Sequence, residues 1–143
     1  MKLTERINQS IRDVADFPKK GIVFKDITPI LKDAQLSKDI CDELATNFDS
    51  EVTHVAGIES RGFLFGFPAA MKKDISFILI RKKGKLPYKT ASLKYDLEYG
   101  SAEIEMHIDA VKEGDKVIIH DDLLATGGTA VAAAKLINQQ GAE

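Results

Sequence analysis

A single cysteine, Cys41, leaves no partner for an internal disulfide, and no zinc-ligand cluster accompanies it. It reads as a small hydrophobe on a helix. Long apolar runs are missing as well. No stretch approaches the roughly 18 consecutive apolar residues that a membrane span needs. The opening MKLTERINQS also has no apolar segment of the secretory-signal kind. A cytoplasmic protein with no membrane partner is the expectation. A basic excess is missing too: the formal charge is −2, so no global positive field draws nucleic acid, and no nucleic-acid partner is expected. There are no repeats, low-complexity tracts or linkers. What remains is 143 residues, 44% hydrophobic and 29% charged, which is one domain by length and enough chain to bury a core.

Hydrophobic periodicity gives an alternating α/β order. Leu3, Ile7, Ile11 and Val14 form one apolar stripe and predict a first helix, broken by ADFPKKGIVF. Ser37 is placed to cap a second helix whose Ile40, Leu44 and Phe48 share a face, with Cys41 beside them. VTHVAGI (52–58) and ISFILI (75–80) read as strands, and RGFLFGFPAAMKK between them as a helix despite Pro68, which makes a βαβ unit. From Ser101 the pattern alternates strictly. Ala102, Ile104, Met106 and Ile108 lie on one side, and Glu103, Glu105, His107 and Asp109 on the other, as in an antiparallel strand with one wet face. KEGDK then supplies a turn, VIIH a buried strand, and TAVAAAKLINQQ a helix packed through Val131, Leu136 and Ile137.

VIIHDDLLATGGTA (117–130) is the most informative stretch. A turn from a buried strand into a helix exposes amides with no intrahelical partner, and the helix dipole adds partial positive charge there. In Ala125, Thr126, Gly127, Gly128 and Thr129 the glycines admit close backbone approach and the threonines offer hydroxyls, so this loop suits a phosphate. Asp121 and Asp122 would repel a phosphate that they faced. They fit neutral hydroxyls, or a magnesium ion, a few ångströms away. A ribose 5-phosphate has that pattern of groups. The loop has neither the Gly-Lys-Ser/Thr ending of a P-loop nor the spacing of a dinucleotide fingerprint. The bland alternative is a Gly-Gly turn with one aspartate capping the helix, and it leaves the doubled aspartate without a reason.

That stretch resembles the phosphoribosyl-pyrophosphate signature of the type I phosphoribosyltransferases. Four more segments, in order, narrow the resemblance to the adenine phosphoribosyltransferase family: DFPKKGIVFKDITPIL (16–31), GIESRGFLFG (57–66), RKKGKLP (81–87) and LEYGSAEIEM (97–106). The resemblance implies an α/β type I phosphoribosyltransferase fold: a Rossmann-like central parallel sheet flanked by helices, an N-terminal hood and an antiparallel, flexible catalytic loop. It implies one domain over 1–143, with an N-terminal helix and adenine-side hood over 1–36 and a phosphoribosyl-pyrophosphate-binding core over 51–143. The reaction implied is Mg²⁺-dependent transfer of the 5-phosphoribosyl group from phosphoribosyl pyrophosphate to adenine, giving AMP and pyrophosphate in purine salvage. A homodimer is implied as well.

Each segment also has its own chemistry. ESRG follows a parallel strand, where open α/β sheets place ligands, and Arg61 there suits a bidentate grip on phosphate or, more plainly, solvent. The resemblance puts Glu59, Ser60, Arg61 and Gly62 on pyrophosphate, with a non-proline cis peptide in the loop. Arg81, Lys82, Lys83, Lys85 and Lys89 crowd one segment containing Gly84 and Pro87; such a run is a solvated face or a pyrophosphate-neutralising edge, and the resemblance assigns Arg81, Lys82 and Lys85 to the latter. Leu86 to Gly100 is polar, carries Tyr88, Tyr95 and Tyr99, and has little apolar periodicity, as a mobile flap would. A flap excludes water from C1 of the ribose, where water competes with the incoming base. By resemblance Glu98 sits at the reacting base and Tyr99 over the ribose and phosphates. Glu98 as a plain surface carboxylate is the alternative. Phe24 offers a stacking surface for adenine, with backbone near Val23 and Lys25 for its exocyclic amine, or else Phe24 is a core aromatic.

The chain departs from the family pattern at three places. Lys25 stands where family members often have Arg, harmless if that contact is main-chain. His120 replaces an apolar residue before the acid pair, as a pH sensor or, the favoured reading, a satisfied core histidine. The resemblance implies a further core strand after Gly141, so the C-terminus is expected to be shortened relative to the family pattern, as a fragment or as a naturally shorter protein. Two other functions fit part of the pattern: a non-catalytic regulator that senses phosphoribosyl pyrophosphate, and a transferase for another purine base. The surviving Glu98 and Tyr99 oppose the first, and the FPKKGIVFKDITPIL segment opposes the second.

Overall fold

The computed structural model describes residues 1–97 and 99–143. Backbone contacts divide the chain into two compact units, Met1–Leu44 and Ala45–Glu143.

In the first unit, α1 (Leu3–Ser10) is followed by two short strands, β1 (Arg12–Ala15) and β2 (Val23–Asp26), paired antiparallel with Val14 opposite Phe24. The predicted first helix is therefore too long. Ile11 turns extended, and Val14 belongs to a strand. Cross-strand pairing overrides the helical spacing here: Arg12 Nη2 lies 2.5 Å from Asp26 Oδ2, and Lys25 Nζ lies 2.6 Å from Asp13 Oδ1. After α2 (Thr28–Lys32) comes α3 (Ala34–Asn47). Asp33, not Ser37, caps α3, accepting the Leu36 amide at 2.9 Å, while the Ser37 hydroxyl donates to the Ile30 carbonyl.

The second unit is built on a five-stranded sheet in the order β5-β6-β4-β3-β7, from β3 (His54–Ile58), β4 (Ser76–Lys82), β5 (Thr90–Asp96), β6 (Ser101–His107) and β7 (Val117–His120). The three strands β4, β3 and β7 are parallel, and β5 and β6 extend them antiparallel, so the sheet is mixed. Helix α4 (Gly62–Lys73) completes the expected βαβ unit, with Pro68 inside it. Alternation along the strands sends Ala56, Ile58, Ile78 and Ile80 to one face, where they join Ile104, Met106, Ala132, Ala133, Leu136 and Ile137 in the core under α5 (Gly128–Gln139). Gly57 and Phe77 point to the opposite face. A Cβ on Gly57 would come within 2.4 Å of the Phe77 ring, which explains the glycine.

Three further expectations need correction. Val131 is exposed, and Ala132 and Ala133 take its place, because positions 132, 133, 136 and 137 share the inward face of α5. The wet side of β6 is not wet throughout. Glu105 is only 7% exposed, since β6 lies between β4 and β5 and Glu105 stands opposite both Arg81 and Ser92. The segment from Leu86 to Gly100 is not uniformly aperiodic. Ala91, Leu93 and Tyr95 of β5 pack against the core on alternate positions.

Candidate active site

Gly57 of β3 pairs with His120 of β7, so the loops that leave these parallel strands start side by side at the carboxyl edge of the sheet. Close packing seals the junction: a Cβ on Gly62, the first residue of α4, would lie 2.7 Å from the His120 carbonyl oxygen. The two loops enclose a cleft of about 580 Å³, lined by Glu59, Ser60, Arg61, Ile119 and residues 121–130. The structure thus gathers all seven candidate phosphoribosyl residues and the Glu59–Arg61 loop around one space.

The far wall is the start of α5. Gly127 precedes the helix with a φ of 82°, a left-handed conformation that suits glycine, and the amide of Gly128 donates to the Thr126 hydroxyl at 3.3 Å. The first turn of α5 presents its amides and dipole to the cleft, as an anion site requires.

The acid pair also lines the cleft. The Asp122 amide donates to Asp121 Oδ1 at 2.8 Å, and Asp122 Oδ2 lies 3.0 Å from Arg61 Nε. Asp122 Oδ1 is buried with no hydrogen-bond partner. Asp121 is exposed as a residue, yet enough protein surrounds its carboxyl that burial, with the neighbouring Asp122, raises its pKa to about 6. Arg61, expected to grip a phosphate, faces a carboxylate here.

Glu59, expected at the pyrophosphate, belongs as much to the basic segment as to its own loop. Its Oε1 accepts the Lys82 amide at 2.6 Å and lies 3.4 Å from Arg81 Nε, while Oε2 accepts Lys85 Nζ at 2.9 Å. Burial pushes the Glu59 carboxyl up, but these bonds and charges outweigh it and hold it below its ordinary value. One carboxylate therefore fixes the start of the cationic loop. The peptide between Glu59 and Ser60 is cis, as the resemblance implies.

Of the flap residues, Tyr99 is 88% exposed, and Glu98 lies outside the described residues. Tyr95 was not among the expected site residues. Its hydroxyl lies 3.0 Å from the Thr129 hydroxyl, and the signal for it was its place in the Ala91, Leu93, Tyr95 alternation. Val23, Phe24 and Lys25 lie on β2 in the first unit. There Val23 is exposed, Phe24 meets Phe17 edge-on with ring centroids 5.1 Å apart, and Lys25 pairs with Asp13. His120 is not a satisfied core histidine, because its Nε2 is buried with no hydrogen-bond partner. Burial lowers its pKa, against a weaker opposing pull from Asp122, so the ring is neutral near neutral pH.

Among the described residues no three His, Cys, Asp or Glu side chains gather into a metal cage, and no helix is long and apolar enough to cross a membrane.

Residues 28–143 match the family model of the phosphoribosyl transferase domain. The adenine phosphoribosyltransferase of Clostridium botulinum (strain Hall) is 51% identical over 138 residues, which cover 96% of this chain and 80% of that protein. The crystal structure of adenine phosphoribosyltransferase from Rhodothermus marinus aligns with a TM-score of 0.92 at 51% identity, covering 99% of this chain and 81% of its own. The Saccharomyces cerevisiae adenine phosphoribosyltransferase, complexed with an imino-altritol bisphosphate and adenine, aligns with a TM-score of 0.89 at 34% identity, covering 99% of this chain and 83% of its own.

Proposed function

The chain belongs to the adenine phosphoribosyltransferases within the phosphoribosyltransferase family, and from that premise we propose how its residues transfer the 5-phosphoribosyl group of phosphoribosyl pyrophosphate to adenine, giving AMP and pyrophosphate. The observation that carries the assignment of roles is the single cleft in which the ESRG loop, the acid pair and the α5 N-terminus converge.

The 5-phosphate takes the amides of Gly127, Gly128 and Thr129 and the hydroxyls of Thr126 and Thr129, with Ala125 keeping the loop small enough for close approach. Asp121 and Asp122 accept hydrogen bonds from the ribose 2- and 3-hydroxyls, which holds C1 at the mouth of the cleft. Ser60, Gly62, Arg61 and the basic residues Arg81, Lys82 and Lys85 face the pyrophosphate, with Glu59 holding the Arg81 and Lys85 side chains and the Lys82 backbone in place. Adenine lies on Phe24, with the backbone of Val23 and Lys25 at its exocyclic amine. In the step itself the bond from C1 to the pyrophosphate oxygen breaks, a bond from C1 to adenine N9 forms, and the imidazole ring of adenine gives up a proton. Glu98 takes that proton or stabilises the charge, an effect of about 10²- to 10⁴-fold, and Tyr99 covers the ribose against water. Positioning and neutralisation of the leaving charge supply most of the rest.

Mg²⁺ fits this donor set. A small hard cation keeps several waters and takes one or two carboxylates together with substrate phosphates, and the unpartnered Asp122 Oδ1 beside Asp121 suits such a water-mediated contact. When bound it neutralises charge on the leaving pyrophosphate.

The enzyme acts as a homodimer, supported by Leu64, Phe67 and Met71, which stand exposed on one face of α4. Its place is the cytoplasm, since a substrate carrying several phosphate charges does not cross a bilayer. The test is AMP formation from adenine and phosphoribosyl pyrophosphate with Mg²⁺, with guanine, hypoxanthine and xanthine offered in parallel. Turnover with adenine alone is expected; turnover with another base in preference to adenine would overturn the base assignment.

A further inference from the structure

We propose that Tyr95 is a positioning residue for the 5-phosphate: its hydroxyl directs the Thr129 hydroxyl into the cleft and so ties β5 to the anion-binding start of α5. The inference rests on the reading that the 125–129 loop takes the 5-phosphate. Tyr95 is half-buried, its ring packed against the core, and its hydroxyl reaches Thr129 Oγ1 at 3.0 Å. Each hydroxyl has one proton. If Tyr95 accepts, the Thr129 proton points away from the ligand; if Tyr95 donates, that proton is free for a phosphate oxygen. An anion in the cleft selects the second arrangement, a chain from Tyr95 to Thr129 to phosphate in which each bond polarises the next.

Tyr95 and Thr129 also share a second cavity, of about 150 Å³, which touches Glu59 and Asp121 of the main cleft. The Tyr95 hydroxyl is thus a polar contact of the Thr129 hydroxyl where the two residues meet at this cavity. The bond also joins two parts of the reaction. Tyr95 stands near the end of β5, and the chain continues from there to Glu98 and Tyr99, so phosphate binding at α5 and the strand leading to the catalytic residues share one contact.

The experiment uses the full chain with Tyr95→Phe, which keeps the ring and removes the hydroxyl, alongside Thr129→Ala and the double variant. Ribose 5-phosphate binding is measured by calorimetry, and KM for phosphoribosyl pyrophosphate and for adenine by steady-state kinetics. Tyr95→Phe is expected to weaken ribose 5-phosphate and raise KM for phosphoribosyl pyrophosphate by about three- to tenfold, with KM for adenine little changed. In the double variant the loss should equal that of Thr129→Ala alone, since the tyrosine acts only through the threonine. Unchanged ribose 5-phosphate binding in Tyr95→Phe, or losses that add in the double variant, would overturn the proposal. Failure of the unsubstituted chain to bind ribose 5-phosphate would instead strike the underlying reading of the loop.

Discussion

Asp121 is a cleft residue whose chemistry is exposed to pH. A carboxyl whose pKa is raised to about 6 is ionised at neutral pH and takes up a proton as the pH falls through that value. The charged form is the stronger acceptor for ribose hydroxyls, so affinity belongs to the high-pH side and is lost on acidification. KM for phosphoribosyl pyrophosphate should rise as the pH is lowered through about 6. Asp121→Asn should raise it by about tenfold or more at neutral pH and flatten its pH dependence. Because the substrate's own phosphates titrate nearby, the comparison that decides is the variant against the unsubstituted chain. A variant that kept the full pH response would assign it to the substrate.

At the scale of elements, α4 presents the clearest prediction. Leu64, Phe67 and Met71 recur at helical spacing and are 41%, 51% and 64% exposed, a stripe that a second copy would cover. Phe67→Glu together with Met71→Glu should shift the chain from dimer to monomer in sedimentation; a double variant that stays dimeric would move the interface elsewhere. The inner side of the same helix was legible in the sequence, because the apolar run 61–73 lay between two β-branched runs that could only be strands of a βαβ unit. The acid pair and the glycine turn were legible for a similar reason, since backbone chemistry at a strand-to-helix turn is local. The β1–β2 pair was not. Val14 satisfies a helical stripe and a strand alternation equally well, and its partner Phe24 lies across a loop that no local pattern spans. The carboxylate partners of Arg61 and Lys85 were hidden for the same reason: both contacts join residues far apart in sequence.

For the whole molecule, the convergence of two loops on one cleft means that ligand binding holds together chain segments that begin at β3 and β7. Ribose 5-phosphate at a hundred times its Kd should stabilise the fold by roughly 2.7 kcal/mol, seen as a higher Tm by calorimetry. Adenosine, which lacks the phosphate, should give a much smaller rise; equal shifts from both would remove the 125–129 loop from the account. Three of the cations proposed for the pyrophosphate are not waiting for their first counter-ion. Arg61 already faces Asp122, and Arg81 and Lys85 already share Glu59. If these cations take the pyrophosphate as proposed, its arrival swaps one negative partner for another, and its departure hands each cation back to its own carboxylate. On that proposal Asp122 and Glu59 act as internal competitors for the product, which favours turnover over tight retention.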